Sequence, residues 1–380
     1  MDFAWSEEQL AFRKEVIRFA REELNDDMIQ RDLLGEFSRE GWKKCAKFGI
    51  QGLPIPLEFG GGGADALTVV GALEALGYGC RDNGLLFSLN AHMWGCEIPI
   101  LVFGTDEQKK AYIPKLVSGE WVGVYGMSEP VSESDGRRVQ VHAARRNGGY
   151  VLNGSRNFIT NATHSDLTVV LADLDSSDGS KGITAFVVEK GTPGFTFTRK
   201  LRMGLRTSPM AELSFVDCEV PAGNLLGKEG NGQAISAASS EWERICVLAS
   251  YLGTMQRLLE TSVEYARERK QFGQPIGKFA AVAEKVADMA VRLESGKLLL
   301  YNAAWLKAQG KDSTREASIA KLYLGEACIQ SCMDAMQIHG GYGYMTEYQI
   351  ERELRDAISA RSYSTTSEVQ RMNIASLHGL

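Results

Sequence analysis

Apolar positions recur at steps of three and four through the first and last thirds of this chain, and at steps of two through its middle. Residues 1–118 read as helices. Leu10, Phe12, Val16, Ile17 and Phe19 form an amphipathic run, and Ser6-x-x-Gln9 ahead of them predicts a capping box. Thr105-x-x-Gln108 repeats the device before Ala111 and Tyr112. The glycine run at 60–63 separates two helices, and Leu53-Pro54-Ile55-Pro56 before it is expected to be extended. From 119 to 226 the spacing predicts strands at 139–142, 150–152, 167–171, 183–188, 195–198 and 212–216. Asn147-Gly148 marks a hairpin turn, and 173–181 a polar loop.

Beyond 226 the helical period returns. In 240–273 the stripe Ile245, Leu248, Leu252, Met255, Leu259 predicts one long buried helix. It begins with Glu243-Arg244 and ends in the basic, aromatic run Arg269-Lys270-Gln271-Phe272-Gly273. Further helices are expected at 280–309, 314–339 and 346–360, with Gly340-Gly341-Tyr342-Gly343 between the last two. The expected fold is α+β in three domains: a helical N-terminal domain at 1–118, a middle antiparallel β domain at 119–226, and a helical bundle at 227–380.

Composition adds exclusions. A length of 380 residues allows two or three domains, and a net charge of −6 argues against a nucleic-acid binder. The start MDFAWSEEQL lacks the basic and apolar regions of a signal peptide, and no run of 18 apolar residues occurs, so a cytoplasmic protein with no membrane span is expected. Seven cysteines without a CxxC read as reduced core thiols, and five scattered histidines give no metal-ligand pattern.

Five motifs in order then carry a resemblance. Tyr125-Gly-Met-Ser-Glu-Pro-Val-Ser-Glu-Ser-Asp135, Asn153-Gly-Ser-Arg-Asn-Phe-Ile-Thr-Asn161, Glu268-Arg-Lys-Gln-Phe-Gly273, Gln337-Ile-His-Gly-Gly341 and Leu354-Arg-Asp-Ala357 resemble the acyl-CoA dehydrogenase family over essentially the whole chain. The resemblance implies FAD, a homotetramer built as a dimer of dimers, and oxidation of an acyl thioester. That reaction needs a base for the α-proton and a flavin to accept the β-hydride. It implies that Tyr125, Met127 and Ser128 run along the flavin ring and that Phe158 and Thr160 contact it. Arg269 and Phe272 would reach the FAD of a neighbouring subunit, Gln337, Gly340 and Gly341 the adenine side, and Thr366 and Glu368 the pyrophosphate and ribose. Ser134, Arg244, Tyr363 and Ser364 would lie along the substrate.

The departures from the family pattern are equally informative. The family's usual Tyr-Glu-Gly-Thr motif, which carries its catalytic glutamate, here reads Tyr363-Ser364-Thr365-Thr366. A minority of the family, similar to isovaleryl-CoA and carrier-protein-bound prolyl dehydrogenases, carries the glutamate on the long helix before an arginine. Glu243-Arg244 matches that position, so Glu243 is the candidate base. Glu133 stands where a glycine is usual, and Arg137, Arg138, Arg145 and Arg146 follow it. A basic rim of that kind suits an acidic carrier protein, and CoA remains the alternative carrier. An electron-transferring flavoprotein is the electron acceptor the resemblance suggests. A flavin-dependent oxygenase or oxidase, or a catalytically silent thioester-binding protein, are the competing functions.

Overall fold

The computed structural model describes residues 5–126, 141–175 and 181–380. Seven helices come first: α1 (Glu7–Glu23), α2 (Met28–Leu34), α3 (Arg39–Phe48), α4 (Ala66–Gly79), α5 (Asn83–His92), α6 (Ile98–Phe103) and α7 (Asp106–Val117). Both anticipated capping boxes form, at Ser6 before α1 and Thr105 before α7. Asp65 and Asp82 cap α4 and α5 by accepting from Thr68 N and Leu85 N. The segment before the glycine run is not extended as expected. It turns on itself (Ile55 N to Gly52 O, 3.1 Å), and the glycines fold back over it (Gly62 N to Gly52 O, 2.8 Å). From 83 to 103 the chain is continuously helical, with a π turn at Met93–Glu97 joining α5 to α6. That stretch is apolar and long enough to cross a membrane, but 78% of its most apolar window is buried inside the protein, which makes it a core helix.

Among the described residues, the middle region is an eight-stranded sheet: β1 (Gly123–Gly126), β2 (Val141–Arg146), β3 (Gly149–Thr160), β4 (Leu167–Asp175), β5 (Lys181–Glu189), β6 (Phe195–Arg199), β7 (Met210–Pro221) and β8 (Leu225–Leu226). The strand order is β6-β7-β3-β2-β4-β5-β8, with β1 beside β4. Asn147 and Gly148, both at positive φ (51° and 78°), make the hairpin turn between β2 and β3. Most pairs are antiparallel, but β4 pairs in parallel with both β1 and β2, so the sheet is mixed rather than purely antiparallel.

Six helices complete the chain: α8 (Gly232–Cys246), α9 (Ala249–Glu268), α10 (Ala280–Ala308), α11 (Thr314–His339), α12 (Ile350–Ile358) and α13 (Ser367–Ser376). The single long helix expected at 240–273 is two, with a turn at Val247 and Leu248 between α8 and α9. The apolar stripe is nonetheless continuous, with Ile245, Leu248, Leu252 and Met255 all buried. The N- and C-terminal helices share one core, in which Val16, Leu73 and Leu76 join Leu252, Leu300 and Leu324. The seven cysteines are buried thiols.

The Leu354-Arg-Asp-Ala motif fastens this core to the sheet. Arg355 grips Asp32 (2.6 Å) and the Met203 carbonyl (3.1 Å), while Asp356 accepts from Asn83 Nδ2 (3.1 Å) and from Leu205 N.

Candidate active site

Ser236, Ser239 and Glu243 succeed one another at steps of three and four, so they share one face of α8. That face meets β1. The Tyr125 phenol lies against the Ser236 and Ser239 hydroxyls and close enough to Glu243 to feel its charge; burial pushes the phenol's pKa up. Ser239 Oγ also donates to the Trp94 carbonyl in the π turn (2.8 Å). Tyr125 can sit there because position 95 has no side chain: a Cβ on Gly95 would stand 2.5 Å from Tyr125 Cβ.

A second contact locks β1 to the same turn. Gly123 N donates to His92 Nδ1 (2.8 Å), and His92 Nε2 lies 3.0 Å from Glu97 Oε1. Because Nδ1 accepts, Nε2 carries the proton and donates to Glu97. Burial raises the Glu97 pKa, and His92 offsets part of the rise. The Trp94 and Trp242 rings stack in parallel, 5.3 Å apart.

The loop that follows α12 approaches Glu243 from the other side. The Ser364 hydroxyl lies against the Glu243 carboxylate and draws its pKa down. Ser364 and Thr365 both take positive φ (52° and 76°), which is costly for a β-branched threonine. Several contacts hold the turn in place. Lys321 Nζ, from α11, donates to Ala360 O (2.9 Å) and Thr365 O (3.1 Å). Gln370 donates to the Thr365 hydroxyl, and Thr366 caps α13 by accepting from Val369 N (3.3 Å). The Tyr363 ring packs on Phe87, with centroids 4.5 Å apart, and so fills space beside the site.

Burial raises the pKa of Glu243, and Ser364, Lys321 and Arg244 each pull it back in part. No ion pair within 4.0 Å joins Glu243 to Arg244 among the described residues, so the carboxylate is not neutralised by its neighbour in sequence. Burial also lowers the Arg244 pKa, against the charges of Glu241, Glu243 and Asp312. A buried carboxylate with a raised pKa beside a hydroxyl is suited to taking a proton near neutral pH.

A second cluster lies at the far end of α9. There Phe272 (φ 50°) and Gly273 (φ 80°) form the turn of a small hairpin, with Phe272 91% exposed at its tip. Arg269, Gly340 and Gly341 line a cavity of about 510 Å³ with Tyr265 and His339. Gly340 holds φ 59°, ψ −136°, a conformation essentially confined to glycine, and Gln337 is exposed on the last turn of α11. Glu243 lies on α8, before the turn at Val247 and Leu248, and is not among the residues lining this cavity, so within the described residues of one chain the two clusters are separate.

Phe158 and Thr160 stand where β3 ends. Phe158 sits in a register shift of the β3–β7 pair at φ 60° and is 69% exposed. Glu368 is exposed on the first turn of α13, 3.7 Å from Arg371. Met127, Ser128 and Ser134 lie outside the described residues, as do Glu133, Arg137 and Arg138. Of the basic rim, Arg145 is engaged by Glu229, which also accepts from Tyr150 (2.7 Å), while Arg146 is exposed. Sequence reasoning missed Lys321, the His92–Glu97 pair and the indole stack. A lysine or histidine in an amphipathic run carries no local mark of burial.

Sequence models of the acyl-CoA dehydrogenase N-terminal, middle and C-terminal domains match residues 6–120, 124–218 and 230–377. An acyl-CoA dehydrogenase of Bacillus subtilis is 41% identical, over 97% of both chains. An L-prolyl-[peptidyl-carrier protein] dehydrogenase from a Serratia strain is 39% identical, over 100% of this chain and 99% of its own. Among solved structures, the prolyl acyl carrier protein oxidase AnaB superposes with a TM-score of 0.95 at 48% identity, covering 99% of this chain and 100% of its own. PigA with FAD and proline superposes with a TM-score of 0.95 at 38% identity, covering both chains fully.

Proposed function

Because the chain belongs to the acyl-CoA dehydrogenase family, its reaction is FAD-dependent α,β-dehydrogenation of an acyl thioester, and we propose that the acyl group is prolyl and its carrier a protein. The observation that carries the mechanism is the meeting of Glu243 with Ser364. The loop position that lost its glutamate and the helix position that gained one face the same point.

The residues present fit FAD. Gly340 and Gly341 leave backbone open to solvent where a cofactor would approach, Arg269 supplies a guanidinium at the same cavity, and Phe158 offers an exposed ring. When bound, FAD supplies the acceptor for the β-hydride. Glu243 takes the α-proton onto its carboxylate. Ser364 orients that carboxylate through its hydroxyl, and Tyr125, with Ser236 and Ser239, closes the opposite wall.

One comparison supports the finer substrate. The chain is similar at full length to proteins named for prolyl groups on carrier proteins. Those relatives also include an enzyme named an oxidase, so oxygen belongs among the acceptors to be tested. The hairpin tip at Phe272, far from Glu243 and almost wholly exposed, supports a site completed by a second copy of the chain, and with it the family's tetramer.

The test is anaerobic addition of prolyl, butyryl and isovaleryl thioesters, each on CoA and on a loaded carrier protein. The prolyl carrier form should bleach the flavin band fastest. Equal or faster bleaching by CoA thioesters would overturn the carrier assignment while leaving the dehydrogenase intact.

A further inference from the structure

Resting on the reading of Glu243 as base, we propose that Lys321 is a positioning residue for it: its buried ammonium ties down the Ser364–Thr365 turn beside Glu243 and sets a positive charge near the carboxylate. Lys321 is 1% exposed. Its Nζ spends two donors on Ala360 O and Thr365 O, and it lies over the Tyr363 ring at 5.6 Å. Among the described residues no carboxylate comes within ion-pair distance of it. A buried ammonium without a carboxylate at ion-pair distance is expensive, and an apolar side chain of similar length would pack there more cheaply. The two carbonyls belong to the segment that delivers Ser364 to Glu243, so the lysine acts on the base in two ways. It fixes a turn that two non-glycine residues hold at positive φ, and it places a positive charge near enough for the carboxylate to feel.

The charged and titratable groups around Glu243 come from four directions: Arg244 on its own helix, Tyr125 on β1, Tyr363 on the C-terminal loop, and Lys321 on α11. Arg244 shares its charge with Glu241 and Asp312, which weakens it as a counter-ion. For Lys321, burial lowers the pKa to about 8, and Glu243 is the largest influence holding it up, ahead of Cys328 and Glu326.

The test compares holoenzyme of the wild type, Lys321→Gln, Lys321→Arg and Glu243→Gln. The rate of anaerobic flavin reduction by prolyl-loaded carrier protein is followed against pH. Glutamine can still donate to a carbonyl but has no charge. Its acid limb should move to higher pH by about one unit, which lowers the rate about tenfold below the limb. Arginine should restore the wild-type limb. An unmoved limb in a folded, yellow glutamine variant overturns the proposal if Glu243→Gln is inactive. An active Glu243→Gln would instead remove the base reading on which it rests.

A second readout needs neither substrate nor a lysine variant. Coupling is reciprocal, so the stability of wild type relative to Glu243→Gln should fall as pH rises towards about 8, where Lys321 loses its proton. A difference that stays flat with pH overturns the proposal.

Discussion

The α4–α9 crossing offers the sharpest stability test, because two backbones touch there. A Cβ on Gly253 would stand 2.1 Å from Glu74 O and 2.3 Å from Tyr78 N, and one on Gly77 would stand 1.9 Å from Ser250 O. These neighbours are backbone atoms in helices, so no rotamer change relieves the contact. In Gly253→Ala, α4 and α9 must part by about 1.3 Å to restore ordinary contact. That separation loosens Leu73 and Leu76 against Leu252 and Met255. It also strains Arg257, which sits one turn further along α9 and donates to Tyr78 O and Cys80 O at 3.1 Å. Overpacking of this kind costs about 3 kcal/mol, while alanine gains about 1 kcal/mol over glycine in helix propensity. The net loss is then about 2 kcal/mol.

The effect reaches function, since α9 continues from the helix that carries Glu243. A misplacement of about 1 Å lowers the rate about a hundredfold. Thermal melts of the FAD-bound protein and anaerobic flavin-reduction rates measure both effects. Gly223→Ala is the control, because a Cβ there meets nothing within 4 Å. If Gly253→Ala melts at or above wild type, helix propensity has won and the close-approach argument is wrong.

Other expectations follow from the same geometry. Burial raises the pKa of Asp356 from 3.8 to about 7, so the stability of its protonated form is complete below the lower value and is lost as pH rises through the higher one. Denaturant midpoints should therefore fall between about pH 4 and about pH 7 in wild type and fall less in Asp356→Asn; equal slopes would contradict this. Ser364→Ala removes a donor that lowers the Glu243 pKa, so its pH–rate profile should shift upward while the plateau rate persists. Thr366→Ala deletes the cap of α13 and should cost about 1 kcal/mol, read as faster amide exchange in the first turn of that helix.

The elements with local signals were legible. Capping boxes at Ser6 and Thr105 and the Asn147-Gly148 turn form as their chemistry dictates, and the helix predicted at 314–339 is α11 residue for residue. What depends on distant partners was not. The turn at Val247 and Leu248 leaves the apolar stripe unbroken, so periodicity did not reveal it. β1 is four residues long and is set by its parallel neighbour β4. At the site, Glu243 was identifiable through the missing glutamate at Ser364, a pairing of two positions far apart in the chain. Lys321 was not, because its burial depends on α11 packing beneath a loop some forty residues later.

The central claim is that Glu243 is the base of a flavin dehydrogenase. Anaerobic stopped-flow of Glu243→Gln with prolyl-loaded carrier protein tests it most directly. The account predicts a yellow, folded variant whose flavin band is not bleached on a time scale in which the wild-type band is lost. Bleaching at the wild-type rate would contradict it.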